Sequence, residues 1–227
     1  RPFVTDADLV SSIGIEADEA RDRLLVANSD DAVFGGEGPG IAKLGVYRLS
    51  TGERLAMVDL GSVADAGDDD IVFANDVTVA PDGAAYVTDT MMNIVYRVGP
   101  DYEASVLHRF EPIAGLSLNG IVHHADGFLI VVAASGQGLL YRIPLDDPAA
   151  ASPIDLSRPA IGADGLIWSD DGALVVVSNS TSETDKVLAY RSTDGWESAE
   201  HVAAAAFDGQ ATTGAVVDGD IYVVQPI

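Results

Sequence analysis

The sequence predicts an all-β fold, a β-propeller of four-stranded blades, with about five repeats visible. Two observations carry this. One phrase returns along the chain: a polar residue, a small or acidic residue, an apolar run, an acidic-Gly turn and a second apolar run. Its copies run from Asn75-Asp76-Val77 to Asp89, from Asn119-Gly120-Ile121 to Ser135 and from Asp164-Gly165-Leu166 to Asn179. Weaker copies open at Ile13-Gly14 and Thr213-Gly214. From Asn75 onward the intervals are 44, 45 and 49 residues, the length of a propeller blade. The second observation is the near absence of helical periodicity, with apolar runs that stay at strand length.

The elements follow in chain order. The first repeat carries an insertion, Gly35 to Gly40, read as a flexible loop that could overhang a tunnel mouth, and an acidic stretch from Asp65 to Asp70. The second repeat reads as strands at 77–79, 85–87, 94–98 and 104–109, with Pro81-Asp82-Gly83 as the first turn. The third gives 121–122, 129–133, 139–143 and an edge strand at 153–156, turning at Ala125-Asp126-Gly127. The fourth gives 166–168, 174–177, 187–190 and 200–204, turning at Asp170-Asp171-Gly172. Ala203 to Ala206 reads equally as a turn of helix or as passage from strand to loop. The last repeat shows two strands before Ile227. Phe3-Val4 and Leu9-Val10 are candidates to pair with it and close a ring.

A tyrosine-arginine pair marks the third strand of four repeats: Tyr47-Arg48, Tyr96-Arg97, Tyr141-Arg142 and Tyr190-Arg191. The expected role is structural, with the ring packed between blades and the guanidinium reaching solvent. One domain over residues 1–227 is expected, without a linker.

Composition narrows the partners. Net charge is −24, from 36 acids against 12 Lys and Arg, which repels nucleic-acid phosphates and keeps the chain hydrated. No apolar run approaches the ~20 residues of a membrane helix. A small-molecule substrate or ligand is the expected partner, and a monomer the expected state. With no cysteine, disulfides and thiolate metal sites are excluded. The chain opens at Arg1 without methionine, which suggests a processed or cut product and an extracellular or periplasmic location.

If repeats close in a ring, equivalent positions face one axis. Asn75, Asn119 and Asp164 then bring three oxygen-bearing side chains toward one point.

The segments "NDVTVAPDGAAYVTDT" at 75–90, "NGIVHHADG" at 119–127 and "DGLIWSDDGALVVVSN" at 164–179 resemble the gluconolactonase, senescence-marker-protein and luciferin-regenerating-enzyme family of six-bladed propellers. The likeness covers about residues 14 to 225. It implies a divalent cation, usually calcium, at the top of the tunnel, held by a Glu, two Asn and an Asp. By motif, Asn75, Asn119 and Asp164 match the two Asn and the Asp. The Glu has no match. Ile13 stands in the ligand position of the repeat that resembles the family's ligand-free blade, so the resemblance places the Glu, and an N-terminal blade, before Arg1. Glu16 lies three residues past that position.

Calcium takes six to eight oxygens, and amide and carboxylate oxygens suit it. One carboxylate gives weak binding, because affinity follows ligand charge. The resemblance implies metal-assisted hydrolysis of a lactone or related ester, with Asp164 as ligand, base or nucleophile. A non-enzymatic binding propeller, or a lyase or synthase using the pocket without metal, are the rival readings. Asp89 and Asn179 end second strands and could line the same mouth. His108, His123, His124 and His201 are expected in structural or surface roles. No Gly-x-Ser-x-Gly elbow is present. Asp65 to Asp70 lacks the closing Glu of an EF-hand loop and reads as a solvated loop.

Overall fold

The computed structural model describes residues 2–111, 115, 117–181 and 183–225, and the side chains of all of these except 134 and 135. The chain divides into two compact units, Arg1–Pro112 and Ile113–Ile227. The division falls between the second and third repeats, so each unit holds whole repeats.

In the first unit, β1 (Ser11–Asp18), β2 (Arg23–Ser29), β3 (Gly40–Arg48) and β4 (Arg54–Asp59) form an antiparallel meander. The strands β5 (Val72–Val79), β6 (Ala85–Asp89), β7 (Ile94–Val98) and β8 (Ala104–Arg109) form a second one. A short parallel pairing of Gly40 with Val72 and Ile41 with Phe73 joins them. Between the two meanders lies one core, including Leu25, Leu44, Val77, Val87 and Tyr96.

In the second unit, β9 (Ile121–His124), β10 (Phe128–Ala134), β11 (Leu139–Pro144) and β12 (Ser152–Pro153) form the third meander. The fourth is β14 (Ala163–Trp168), β15 (Leu174–Ser178), β16 (Asp185–Arg191) and β17 (Ser198–Ala206). Between them, β13 (Asp155–Leu156) pairs in parallel with β17. The edge strand expected at 153–156 is therefore two strands. Its first half completes its own blade and its second half joins the next, with the buried Ile154 at the crossover. Finally β18 (Thr213–Val217) and β19 (Asp220–Val224) form a two-stranded sheet. Apart from that split edge the order of strands in the repeats holds, and the fold class is that of a β-propeller.

The turns form for a local reason. Gly83, Gly127 and Gly172 adopt φ of +91°, +82° and +80°, a region that costs a residue with a Cβ. Each sits where the sequence has its acidic-Gly pair. The two-residue link Asp218-Gly219 has both φ positive, at 53° and 84°, which matches the twist of a tight hairpin.

Two expectations change. The alanine run 203–206 is strand, because β16 supplies its ladder partners. Residues 2–10 form no strand. They lie against the first meander, where Asn28 accepts from Val10 N at 2.8 Å and donates to Asp8 O at 2.8 Å. Tyr47 also donates to Asp6 at 3.0 Å. The third phrase ends at Ser135 and the last repeat at Ile227. The Ser135 side chain and residue 227 lie outside the described parts.

Tyr47, Tyr96 and Tyr190 are fully buried, as the repeat position required. Tyr96 donates to Asp89 at 2.9 Å and Tyr190 to the carbonyl of Arg158 at 3.0 Å. Arg142 departs from the pattern: its guanidinium lies over the Phe128 ring, 4.4 Å from the centroid.

Candidate functional site

Two of the three site positions, Asn75 and Asp164, sit on β-bulges, and Ile13 sits on a third. Register shifts between Ser12 and Ile15, between Ala74 and Val77, and between Ala163 and Leu166. Ile13-Gly14, Asn75-Asp76 and Asp164-Gly165 are therefore two-residue bulges, each opposite one residue of the second strand. A bulge bends the strand and re-aims its side chains. Asn119-Gly120 stands just ahead of β9, held by Asn119 N to Val132 O at 3.1 Å and Val132 N to Gly120 O at 2.9 Å.

The residue after each site position explains how neighbouring repeats approach. A Cβ on Gly120 would fall 2.2 Å from Asp164 O, and one on Gly165 would fall 2.7 Å from Thr213 Cα. In the first unit a Cβ on Gly14 would fall 2.6 Å from Asn75 O. Glycine is required because backbone meets backbone. Gly120 N donates to Asp164 O at 2.8 Å. This contact brings the backbone at Asn119-Gly120 against that at Asp164-Gly165 in the second unit. Asn75 holds the corresponding position in the first unit, beside the bulge of Ile13.

Residues just past the second strands orient these side chains. Asn75 Nδ2 donates to Thr90 Oγ1 at 2.8 Å, and Asn179 Nδ2 donates to Asp164 Oδ2 at 2.6 Å. Both pairs are fifteen residues apart in sequence. That shared spacing is the signal by which Thr90 and Asn179 could have been found as orienting partners. With Nδ2 engaged, Asn75 keeps its Oδ1 outside that bond, as a neutral oxygen ligand requires. Asp164 is largely buried and Asn119 partly so. Among the described residues no group of three or more His, Cys, Asp or Glu is arranged to hold a metal ion. A cation here would depend on amide oxygens with a single carboxylate.

Asp89 does not line a mouth. It is fully buried. Its Oδ1 accepts from the backbone N of Phe73, Met91 and Met92 at 3.1, 3.0 and 2.9 Å, and its Oδ2 from Tyr96. Burial pushes its carboxyl above the usual carboxylate range, opposed by those four donors. It fixes the start of β5 and the turn that carries Thr90.

Glu16 is the group that pattern reading passed over. It is partly buried on β1. Burial, with Asp76 and then Asp18 adding repulsion, pushes its carboxyl up to about 7. Asp18 itself is paired with Arg23 at 2.6 Å. The folded state holds the Glu16 proton more tightly than the unfolded chain does. The resulting cost is absent below about pH 4.5, grows toward pH 7 and is complete above it. Glu16→Gln is therefore expected to stabilise the protein at pH 8 by about 2 kcal/mol. A tenfold change in proton affinity is worth ~1.4 kcal/mol, and partial exposure screens the charge. At pH 4 the gain vanishes. Paired urea melts at the two pH values check this, and equal effects at both would refute it.

The remaining candidates are structural. His124 stacks on Phe128 at 4.3 Å and meets the edge of Trp168 at 5.1 Å. Burial lowers its affinity for a proton, as does Arg142, while Asp126 opposes them. The carbonyl of His123 accepts from Trp168 Nε1 at 2.9 Å. His108 packs edge-on to Phe110, and His201 to Tyr190. The acidic loop is solvent-exposed, with Gly67 N donating to Asp70 at 2.8 Å. A folded turn leads into the glycine-rich insertion: Asp30 accepts from Ala32 N at 3.0 Å, Val33 is buried, and Phe34 meets the edge of Phe73 at 5.0 Å.

No protein-family model matches this chain, and no curated protein does. Solved structures do. The major allergen Mala s 1 of Malassezia sympodialis is similar at 17% identity and a TM-score of 0.74, over 94% of this chain and 72% of that one. Virginiamycin B lyase from Staphylococcus aureus is similar at 12% identity and a TM-score of 0.66, over 99% of this chain and 66% of that one. The PQQ-bound aldose sugar dehydrogenase from Streptomyces coelicolor is similar at 17% identity and a TM-score of 0.64, over 99% and 76%. The chain thus spans about two thirds to three quarters of the length of these structures. At such identities the likeness shows the fold, a β-propeller, and leaves the chemistry to the site.

Proposed function

We propose that this propeller is a metal-assisted hydrolase of lactones or related esters, with a divalent cation, calcium by ligand chemistry, bound at Asn119 and Asp164 in the second unit. The observation that carries the reading is the adjacency of Asn119 and Asp164 across the Gly120 contact, with Asn179 gripping Asp164. Amide and carboxylate oxygens are hard ligands of the kind calcium takes. When bound, the cation supplies Lewis-acid polarisation of the substrate carbonyl. Asp164 accepts the proton of the attacking water, and Asn179 keeps that carboxylate from swinging away. The proton then passes to the alkoxide freed when the ring C–O bond breaks. Asn75 repeats the ligand position within the first unit.

The test is calcium-dependent melting. At tenfold excess over Kd a ligand stabilises by about 1.4 kcal/mol, or about 4 °C for a chain of this size. Asp164→Ala and Asn119→Ala are expected to abolish the shift, while Asp69→Asn in the exposed loop keeps it. Hydrolysis of a γ-lactone panel should fall at least about 100-fold in Asp164→Ala, as for loss of a general base. An unchanged calcium shift in Asp164→Ala defeats the site. A lost shift without any hydrolysis by the parent protein identifies a binding propeller instead.

A further inference from the structure

Lys186 is one of two lysines in a chain with 36 acids, and it is only 6% exposed. An ammonium so placed gives up its hydration and needs a strong partner. Among the described residues that partner is a backbone oxygen: Nζ donates to the carbonyl of Ser180. The adjacent carboxylate, Asp185, pairs with Arg158 at 2.8 Å. The strand is shaped for this. Asp185 faces Ala206 and Val187 faces Ala205, so Lys186 is the extra residue of a bulge on β16. A bulge re-aims the side chain it carries, as the one on β14 does for Asp164.

The segment that Lys186 holds is the one that holds Asp164. Asn179 stands one residue past β15, at the start of the loop that leads to β16. Its backbone N donates to Gly162 O at 2.9 Å, and Ser178 Oγ donates to Ile161 O at 2.7 Å. These bonds fix the side of the segment nearer β15. Gly162 has a φ of +74°, and a Cβ on it would fall 2.7 Å from Ser180 N, so the two backbones lie close. On the far side, where Thr181 and Thr184 are exposed, Lys186 is an anchor. A charged donor makes a bond about twice as strong as a neutral one. That strength suits a connection, which is otherwise the more mobile part of a blade.

We infer that Lys186 is a positioning residue: by holding the Ser180 carbonyl it keeps the Asn179 amide on Asp164 Oδ2, and so keeps that carboxylate aimed at the cation. The inference rests on the cation reading of Asp164 and adds a residue that acts through Asn179. Removing an outer partner of a metal ligand costs about 10–100-fold in affinity or activity.

Lys186→Met keeps the length of the side chain and removes the donor. An apolar chain in place of a buried charge leaves no anion stranded, so the fold is kept. The calcium Kd should rise about tenfold or more, and Lys186→Arg, which keeps a charged donor, should recover most of the loss. At saturating calcium kcat should fall with little change in KM, because the base is misaligned and substrate contacts are not. In an Asn179→Ala background Lys186→Met should add little to the calcium loss, since residues that act in series are not additive. A lysine that only stabilises the blade would lower affinity equally in both backgrounds. One reading needs neither metal nor turnover. Hydrogen exchange of the Asn179 side-chain amide, followed by NMR without calcium, should quicken about tenfold or more in Lys186→Met, as for loss of one charged-donor bond. Lys43→Met, at the other lysine, on β3, should leave affinity and exchange as in the parent. Unchanged exchange in Lys186→Met overturns the inference, as does an equal calcium loss with Ala at 179. Quickened exchange where the parent binds no calcium keeps the hold of Lys186 on Asn179 and defeats the cation reading alone.

Discussion

Asp89→Ala is expected to cost about 4 kcal/mol or more, the largest effect of any single side chain considered. One buried carboxylate accepts from Phe73, Met91, Met92 and Tyr96. Removing it leaves three backbone N–H groups and one phenol without their partner, and each unsatisfied buried group costs about 1–3 kcal/mol. Reorganisation and entering water recover part of that sum. For a chain of this length the melting temperature should fall by about 10 °C or more. Asp89→Asn should cost much less, because its amide oxygen still accepts from the backbone and Tyr96 can accept from its amide. The effect also reaches the site: the Met91-Met92 turn follows Thr90, which orients Asn75. Thermal and urea melts of both variants decide the matter. Similar, small losses in the two would show that the carboxylate does not organise this end of the blade.

Gly120→Ala is expected to cost about 3 kcal/mol, near the upper end for overpacking. The added methyl would fall 2.2 Å from Asp164 O and 2.9 Å from Leu166 N. Neither is the tip of a flexible side chain. The two inner strands must separate, and the bond from Gly120 N to Asp164 O is stretched or lost. Gly127→Ala is the informative comparison. Its φ is +82° and nothing lies within 4 Å of its would-be Cβ, so only the backbone penalty of about 1–2 kcal/mol applies. The two glycines thus separate crowding from conformational strain. The calcium-dependent shift should vanish in Gly120→Ala and survive in Gly127→Ala, because only the first separates Asn119 from Asp164. If Gly120→Ala melts like the parent, backbone contact at this glycine does not hold the two repeats together.

Much of this was legible in the chain. The acidic-Gly turns at 82–83, 126–127 and 171–172 are decided by φ preference within a few residues. The four tyrosines of the third strands were placed by period alone, and three are buried as that placement required. The inner-strand positions Asn75, Asn119 and Asp164 were likewise legible as equivalent. The bulges at Asn75 and Asp164 were not, because a bulge shows only as a slip in pairing with a second strand.

The same division explains Asp89 and Glu16. By sequence each is an acid in or near a strand. Asp89 becomes a hub because the Phe73 backbone and the Tyr96 ring converge on it, and Glu16 holds its proton because Asp76 arrives from a strand sixty residues away in sequence.

By itself the sequence determined the strands, their turns, their period and the residue type at each repeated position, since these rest on alternation and turn geometry within one blade. Only the tertiary structure decided which acids are buried, which are oriented by a partner, and which glycines touch the next repeat. Those depend on what a neighbouring strand brings to within a few ångströms, and burial and charge act through space.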